Sequence, residues 1–210
     1  MSSSSIDSSP ETNSGQARHR EPSHARRLFL FSLLAYLLLG GGRIASSDGH
    51  TMFTLSQAIL AGRLSIPDGN GKPGRHGLLY AKADPGQALV ALPLVAIGQA
   101  TAPLAPAGPL RALWPRAVAS TLNALVAAGC VVLFFFLVRS FGYRTPTAVV
   151  LALGLGFTTS LLPYSKSYLR EPLLMLALLA SFLELRRKFV KGTRGCQQLV
   201  QSEHNLVLRQ

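Results

Sequence analysis

Charge is what this sequence has least of. Asp, Glu, Lys and Arg together make up 14% of its 210 residues, against about 25% in an ordinary soluble domain. The shortage falls on one sign: nine acidic residues stand against 21 basic ones, a net charge of +12. So few charges among 48% hydrophobic residues argue against a soluble globular domain. They argue equally against a disordered chain, which is poor in Leu, Val and Phe. Cysteine is nearly absent. Cys130 sits in an apolar run, where it reads as a small packing residue, and Cys196 in a polar tail, so the two make no disulfide framework. Motif chemistry is thin as well. No zinc-ligand spacing, nucleotide-binding glycine loop or Ser-His-Asp order occurs, and Gly69-Asn70-Gly71 reads as a turn. A basic chain of mean hydropathy +0.29 fits a membrane protein with basic cytoplasmic flanks better than a nucleic-acid binder, so no nucleic-acid partner is expected.

What the sequence does have is a set of apolar runs. Residues 1–27, rich in Ser, Pro, Glu and Arg, read as a disordered cytoplasmic tail. Leu28 to about Ala45 follows, near the length of a bilayer crossing and behind too long a tail for a signal peptide, so an uncleaved helix is expected. Ala117–Val138, bracketed by Arg116 and Arg139, is a second run; Pro146–Pro163 is a third, and about 168–185 a fourth. Residues 46–116 differ, with Gly, Pro, Asp and Lys scattered through them. Within them Met52, Phe53, Leu55, Ile59, Leu60 and Leu64 recur at helical spacing, as in a short interfacial helix over Thr51–Leu64. Ser65–Gly77 reads as loop, and Ala88–Leu104 is apolar but broken by Pro93, Gly98 and Pro103.

Basic residues set the expected sidedness. The tail before Leu28 and the cluster Arg186, Arg187, Lys188 and Lys191 should both face the cytoplasm, which requires an even number of crossings. The four runs supply it, with 88–104 on the outer side, at or dipping into the membrane surface. Loop 139–145, with Arg139 and Arg144, is then cytoplasmic, and segments 46–116 and 164–171 are outer. The expectation is an all-α polytopic protein of the cell (inner or plasma) membrane. It has about four transmembrane helices in a membrane domain over 28–188, juxtamembrane helices in a long first outer loop, a polar C-terminal tail over 189–210, and both termini cytoplasmic.

With charges scarce, their positions carry weight. Asp48 stands just past the first run; Lys82 and Asp84 stand in Tyr80-Ala81-Lys82-Ala83-Asp84-Pro85-Gly86; Tyr164, Lys166, Tyr168, Arg170 and Glu171 crowd the second outer loop. All fall on the same expected side. Carboxylates there suit a general base or metal ligand, and Lys and Arg suit charge partners for a phosphate. Plainer roles compete: Asp48 as cap of the helix beginning near His50, Lys82 and Arg170 as snorkelling anchors, Tyr164 and Tyr168 as an aromatic belt. Asn123 reads as a helix–helix hydrogen-bonding residue and Glu184 as a paired surface charge.

The order of these pieces resembles the N-terminal third of polytopic GT-C glycosyltransferases, the protein O-mannosyltransferase and lipid A aminoarabinose transferase group. In that group the first outer loop opens with a catalytic Asp, often Asp-Glu; Asp48 matches it, with Gly49 in place of the Glu. Thr54-Leu55-Ser56-Gln57-Ala58-Ile59-Leu60-Ala61-Gly62-Arg63-Leu64 is similar to the interfacial helix that follows, and the segment around Lys82 to the group's lysine-proline motif. Leu113-Trp114-Pro115-Arg116-Ala117-Val118 resembles the start of its second spanning helix. Pro163-Tyr164-Ser165-Lys166-Ser167-Tyr168-Leu169-Arg170-Glu171-Pro172 resembles its second outer loop. The resemblance covers roughly 28–188. It implies sugar transfer from a polyprenyl-phosphate donor to an acceptor on the outer face. Asp48 and Glu171 would be the catalytic carboxylates, Lys82 and Arg170 the phosphate-binding cations, the lipid bilayer the setting, and a divalent metal ion the one cofactor left open. Members of the group carry more spanning helices, which implies that this chain is an N-terminal part or works with further membrane helices of a partner chain. The alternative from composition alone is a non-catalytic integral membrane protein, a truncated remnant or a small helix-packing subunit. A transporter would place a charge in mid-helix, and none stands there.

Overall fold

The computed structural model describes the backbone of residues 14–40, 42–44, 46–67, 71–82 and 85–207, and side chains from 23 to 190 within them, Arg75 aside. The described residues are mostly helical. In chain order they form α1 (Ser14–Leu39), α2 (Ser47–Leu60), α3 (Gly86–Thr101), α4 (Pro109–Ser140), α5 (Thr145–Thr158), α6 (Leu161–Ser165) and α7 (Glu171–Val207). Two short strands pair antiparallel: β1 (Lys72–Pro73), inside the stretch expected to be loop, and β2 (Leu79–Tyr80), just past it. Their turn is closed by His76 and Gly77, both in the left-handed region at φ 60° and 72°. Ile66 extends the pairing by donating its N–H to the Leu79 carbonyl at 2.9 Å.

α4 is the element the others pack on. It is 32 residues, about 48 Å, because the chain offers a long uncharged run with a proline at its first position. It stops where Gly142 turns left-handed at φ 89°. Its buried face is built from small residues, among them Ala119, Ala127, Ala128 and Cys130, all fully buried, so neighbouring helices approach closely.

Side-chain contacts fix how the other helices lie against it. Cys130 Sγ donates to the Pro172 carbonyl at 3.5 Å, and Arg186 donates to the Ser140 carbonyl at 3.5 Å, so α7 runs alongside and parallel to the second half of α4. The Arg186 guanidinium also lies 5.1 Å from the Phe141 ring centre. α1 and α5 run the opposite way. They meet α4 at Gly156, where an added Cβ would come within 2.8 Å of both Tyr36 Oη and Val131. Tyr36 donates its hydroxyl to the Gly156 carbonyl at 2.9 Å and stacks on Phe157 at 5.4 Å. Glycine at 156 is what lets α1 and α5 touch.

From Asn123 to Ser140 α4 runs for about 26 Å beside α1 and α7, and α5, with 14 residues, covers about 21 Å of that length. The first part of α4, residues 109–116, projects beyond this bundle, since Ala117, Ser120 and Thr121 still face Tyr36 and Leu37 of α1. α3 folds back along the projection: a Cβ at Gly98 would lie 2.8 Å from Pro115 Cα, and Trp114 donates to the Thr101 hydroxyl at 2.8 Å. α2 is tied to α3 by Ser56, whose hydroxyl reaches the Ala88 carbonyl at 3.0 Å, and to α4 by Arg116 over the Phe53 ring.

Among the described residues two segments are long and apolar enough to cross a membrane: Gly86–Leu104, which is α3 with the short 3-10 turn after it, and Pro109–Ser140; α5 is apolar but shorter, and α1 and α7, expected as crossings, are not among them. The first is the segment expected to stay at the surface. Length and composition alone would let it cross, while its packing sets it beside the overhanging end of α4. The run Leu28–Ala45 is not one helix. Gly40, Gly41 and Gly42 follow Leu39, and the helix ends there because glycine is a poor helix former. α1 begins at Ser14, within the stretch read as a disordered tail, and α7 continues to Val207 through the polar tail. An apolar segment held by packing is a nucleus from which a helix extends cheaply into polar flanks. Residues 1–13 and 208–210 lie outside the described residues.

Candidate functional site

At the end of the bundle marked by Asn123, three helices begin within one small region. α2 starts at Ser47, α3 at Gly86 and α7 at Glu171, and their first turns wall a cleft of about 240 Å³ lined by Asp48, Met52, Lys82, Gln87, Tyr168, Leu169, Arg170 and Glu171. Each helix start has a local cause. Ser46 adopts an extended backbone and accepts the Gly49 N–H at 3.1 Å, so Ser46 is the cap of α2. That corrects the expectation that Asp48 caps a helix beginning near His50. Asp48 lies inside the first turn, where the helix dipole favours a carboxylate, and its side chain is exposed at the cleft. α3 starts after Pro85 with no side-chain cap, and α7 opens with Glu171 and Pro172.

The loop between α6 and α7 is held by Asn123. Its amide nitrogen donates to the carbonyls of Leu169 at 2.7 Å and Tyr164 at 3.3 Å, and also reaches that of Ser167. Asn123 is 1% exposed. The expected helix–helix hydrogen bond is there in part: the Tyr164 carbonyl belongs to α6, while those of Ser167 and Leu169 belong to the loop after it. α2 locks onto the same loop from the other side, because a Cβ at Gly49 would lie 3.0 Å from the Tyr168 carbonyl and 2.7–2.8 Å from Ser46 and Ile44. A Glu at this position, as in the Asp-Glu pair of the resemblance, has no room.

The structure therefore gathers Asp48, Lys82, Arg170 and Glu171 around one cleft, all four exposed. Asp84 lies outside the described residues. Lys166 does not join them. It lines a smaller cleft of about 120 Å³ on the other side of the loop, with Tyr36, Ser120 and Thr121. The inner wall is formed by residues that sequence reasoning missed or valued only as a belt. Gln87 is 2% exposed and Tyr168 1%. Burial pushes the Tyr168 phenol up to about 12, with the nearby Ser56 hydroxyl pulling the other way. The signal for Gln87 was its amide standing alone at the head of an apolar run.

The charged residues make one anion-friendly rim. Two cations and three helix N-termini, whose first N–H groups point out of the helix ends, favour a phosphate or similar anion. Two carboxylates beside them supply a base. Among the described residues no three His, Cys, Asp or Glu side chains come together. Away from the cleft, Glu184 pairs with Arg187 at 2.7 Å on an exposed face, the surface charge pair expected for it.

No protein-family model, no curated protein and no solved structure matches this chain.

Proposed function

We propose that this chain is a multi-pass membrane protein with both ends on the cytoplasmic side, whose outer cleft binds the headgroup of a polyprenyl-phosphate-sugar donor, and that it acts, by itself or as part of a larger assembly, as a GT-C-like glycosyltransferase. The observation that carries this reading is the convergence of three helix N-termini with Lys82 and Arg170 around a cleft that also holds Asp48 and Glu171. The alternation of α1, α4, α5 and α7 supports the four-crossing arrangement, and the basic flanks before Leu28 and after Leu185 support the outer placement of the cleft.

The chemistry follows from the rim. Asp48 takes the proton of an acceptor hydroxyl. The acceptor oxygen attacks the anomeric carbon as its bond to the phosphate oxygen breaks, and the polyprenyl phosphate departs with the electron pair. Lys82, Arg170 and the helix ends meet the charge that grows on the leaving phosphate. Glu171, across the cleft, orients the acceptor.

The second reading is a non-catalytic membrane module. It is favoured by the apolar residues that α1, α5 and α7 leave exposed, such as Leu34, Leu38, Val150, Leu178 and Phe182, which suit lipid or the helices of a partner chain. One experiment separates the two. Sugar transfer from a polyprenyl-phosphate donor is measured in nanodiscs with the wild type, Asp48→Asn and Lys82→Ala. Transfer abolished by Asp48→Asn with donor binding kept, and binding weakened by Lys82→Ala, supports the enzyme. Donor binding without transfer in membranes carrying every candidate acceptor supports the inert module.

A further inference from the structure

The charged rim accounts for a phosphate but leaves the inner wall of the cleft unexplained. Gln87 lies in the first turn of α3, with its backbone tied down where the next residue, Ala88, accepts the Ser56 hydroxyl. Its side chain is 2% exposed, yet neither Nε2 nor Oε1 has a hydrogen-bond partner among the described residues. The Tyr168 hydroxyl, on the same wall, has the Ser56 hydroxyl nearby, but that group is already engaged with the Met52 and Ala88 carbonyls and forms no well-formed hydrogen bond with it. A buried amide left unpaired is destabilising, so a chain that keeps one beside a cleft holds it for something that enters the cleft.

The chemistry of the entrant follows from the donor and acceptor pattern. A carboxamide presents one acceptor and one donor side by side. A phosphate or carboxylate offers acceptors alone, and would pair Nε2 while setting its own oxygens against Oε1. A hydroxyl donates and accepts, so one hydroxyl, or two on neighbouring carbons, satisfies both atoms. Tyr168 adds a phenolic donor, protonated at neutral pH as any tyrosine is.

We infer that Gln87 is the sugar-recognising residue of this cleft: its carboxamide binds ring hydroxyls of a glycosyl phosphate whose phosphate sits on the cationic rim, with Tyr168 as a second donor. This rests on the donor site proposed above and divides it into two parts. Lys82 and Arg170 bind what every polyprenyl phosphate has. Gln87 binds what only the glycosylated form has. It is a specificity residue, touching the sugar away from the reacting carbon.

The test uses the full chain in nanodiscs and measures dissociation constants for bare polyprenyl phosphate and for a panel of its hexosyl and pentosyl esters. The wild type should bind at least one ester more tightly than the bare phosphate. Gln87→Leu should weaken that ester about tenfold, the worth of one good hydrogen-bonding residue, and leave the bare phosphate within about twofold. Gln87→Glu, which keeps the size but loses the donor, should weaken the ester too. Thermal midpoints control for folding: Gln87→Leu removes two unpaired groups and should not lower the midpoint, and Gln87→Met serves if it does. Equal binding of ester and bare phosphate by the wild type, or ester binding unchanged in Gln87→Leu, overturns the inference while the phosphate site stands. Wild-type binding to neither lipid overturns the donor site itself, and this inference with it.

Discussion

Gly49 faces the carbonyl of Tyr168 so closely that a Cβ at residue 49 would stand 3.0 Å from that oxygen. This one approach joins the first turn of α2 to the loop before α7, and so sets Asp48 against Arg170 and Glu171 across the cleft. Gly49→Ala gives the first prediction. At an open helical site alanine would stabilise, since it is the best helix former. Here the added methyl meets the Ser46 hydroxyl, Ile44 and the Tyr168 carbonyl at once, and overpacking of this kind costs roughly 1–3 kcal/mol. A lower thermal midpoint in detergent, with weaker polyprenyl-phosphate binding, is the expected result. A raised midpoint would mean that α2 and the loop are not in contact.

Asn123 is the second case. Replacing it with Leu leaves the carbonyls of Tyr164, Ser167 and Leu169 without the donor they share, at roughly 1–3 kcal/mol for a buried acceptor. Asn123→Asp should be worse than Asn123→Leu, because a carboxylate oxygen would face those same carbonyls. Hydrogen exchange over residues 164–170 is the direct readout: it should quicken in both variants while α5 stays protected.

The Tyr168 phenol predicts a dependence on alkaline pH. Its ordinary value is about 10. In the fold, burial holds the proton until pH about 12. Between those values the unfolded chain releases a proton that the folded chain keeps, so the stabilising contribution is whole below pH 10 and is lost as pH rises to 12. The unfolding midpoint should fall across that window. Tyr168→Phe should flatten the part of the fall that belongs to this residue. A wild type and variant with parallel pH curves would place the phenol in water.

Sidedness can be read by labelling. In a background without Cys130 and Cys196, cysteines placed at Ser65 and Ser167 should react with an impermeant reagent from outside, and one at Thr145 should react after the membrane is opened. Labelling of Thr145 from outside would reverse or abolish the four-crossing arrangement.

Much of the bundle could be read from the chain because helices announce themselves locally. The uncharged run between Arg116 and Arg139 is α4, and the amphipathic spacing around Met52 and Phe53 is α2, shifted toward the N-terminus by its Ser46 cap. Scarcity of charge singles out Asp48, Lys82, Arg170 and Glu171 together with Asp84 and Lys166; the resemblance is what selects the four. Gln87 was not picked, because whether an amide is solvated or buried depends on α2 and the loop before α7, segments distant in sequence. The end of α1 at Leu39 was misjudged because hydropathy counts Gly40 to Gly42 as apolar while their backbone freedom ends the helix. The length of α4 beyond Arg116 was missed for the opposite reason: Arg111 and Arg116 mark the edge of an apolar run and leave the helix free to continue.

The overhang of α4 with α3 has a practical side. Leu89, Val90, Ile97, Leu104, Leu110 and Leu113 are exposed on that hairpin, between 44% and 84% of their surface. Apolar surface is thus exposed on the hairpin as well as on α1, α5 and α7. In the membrane setting proposed above, an amphiphile that covered the bundle alone would leave the hairpin bare.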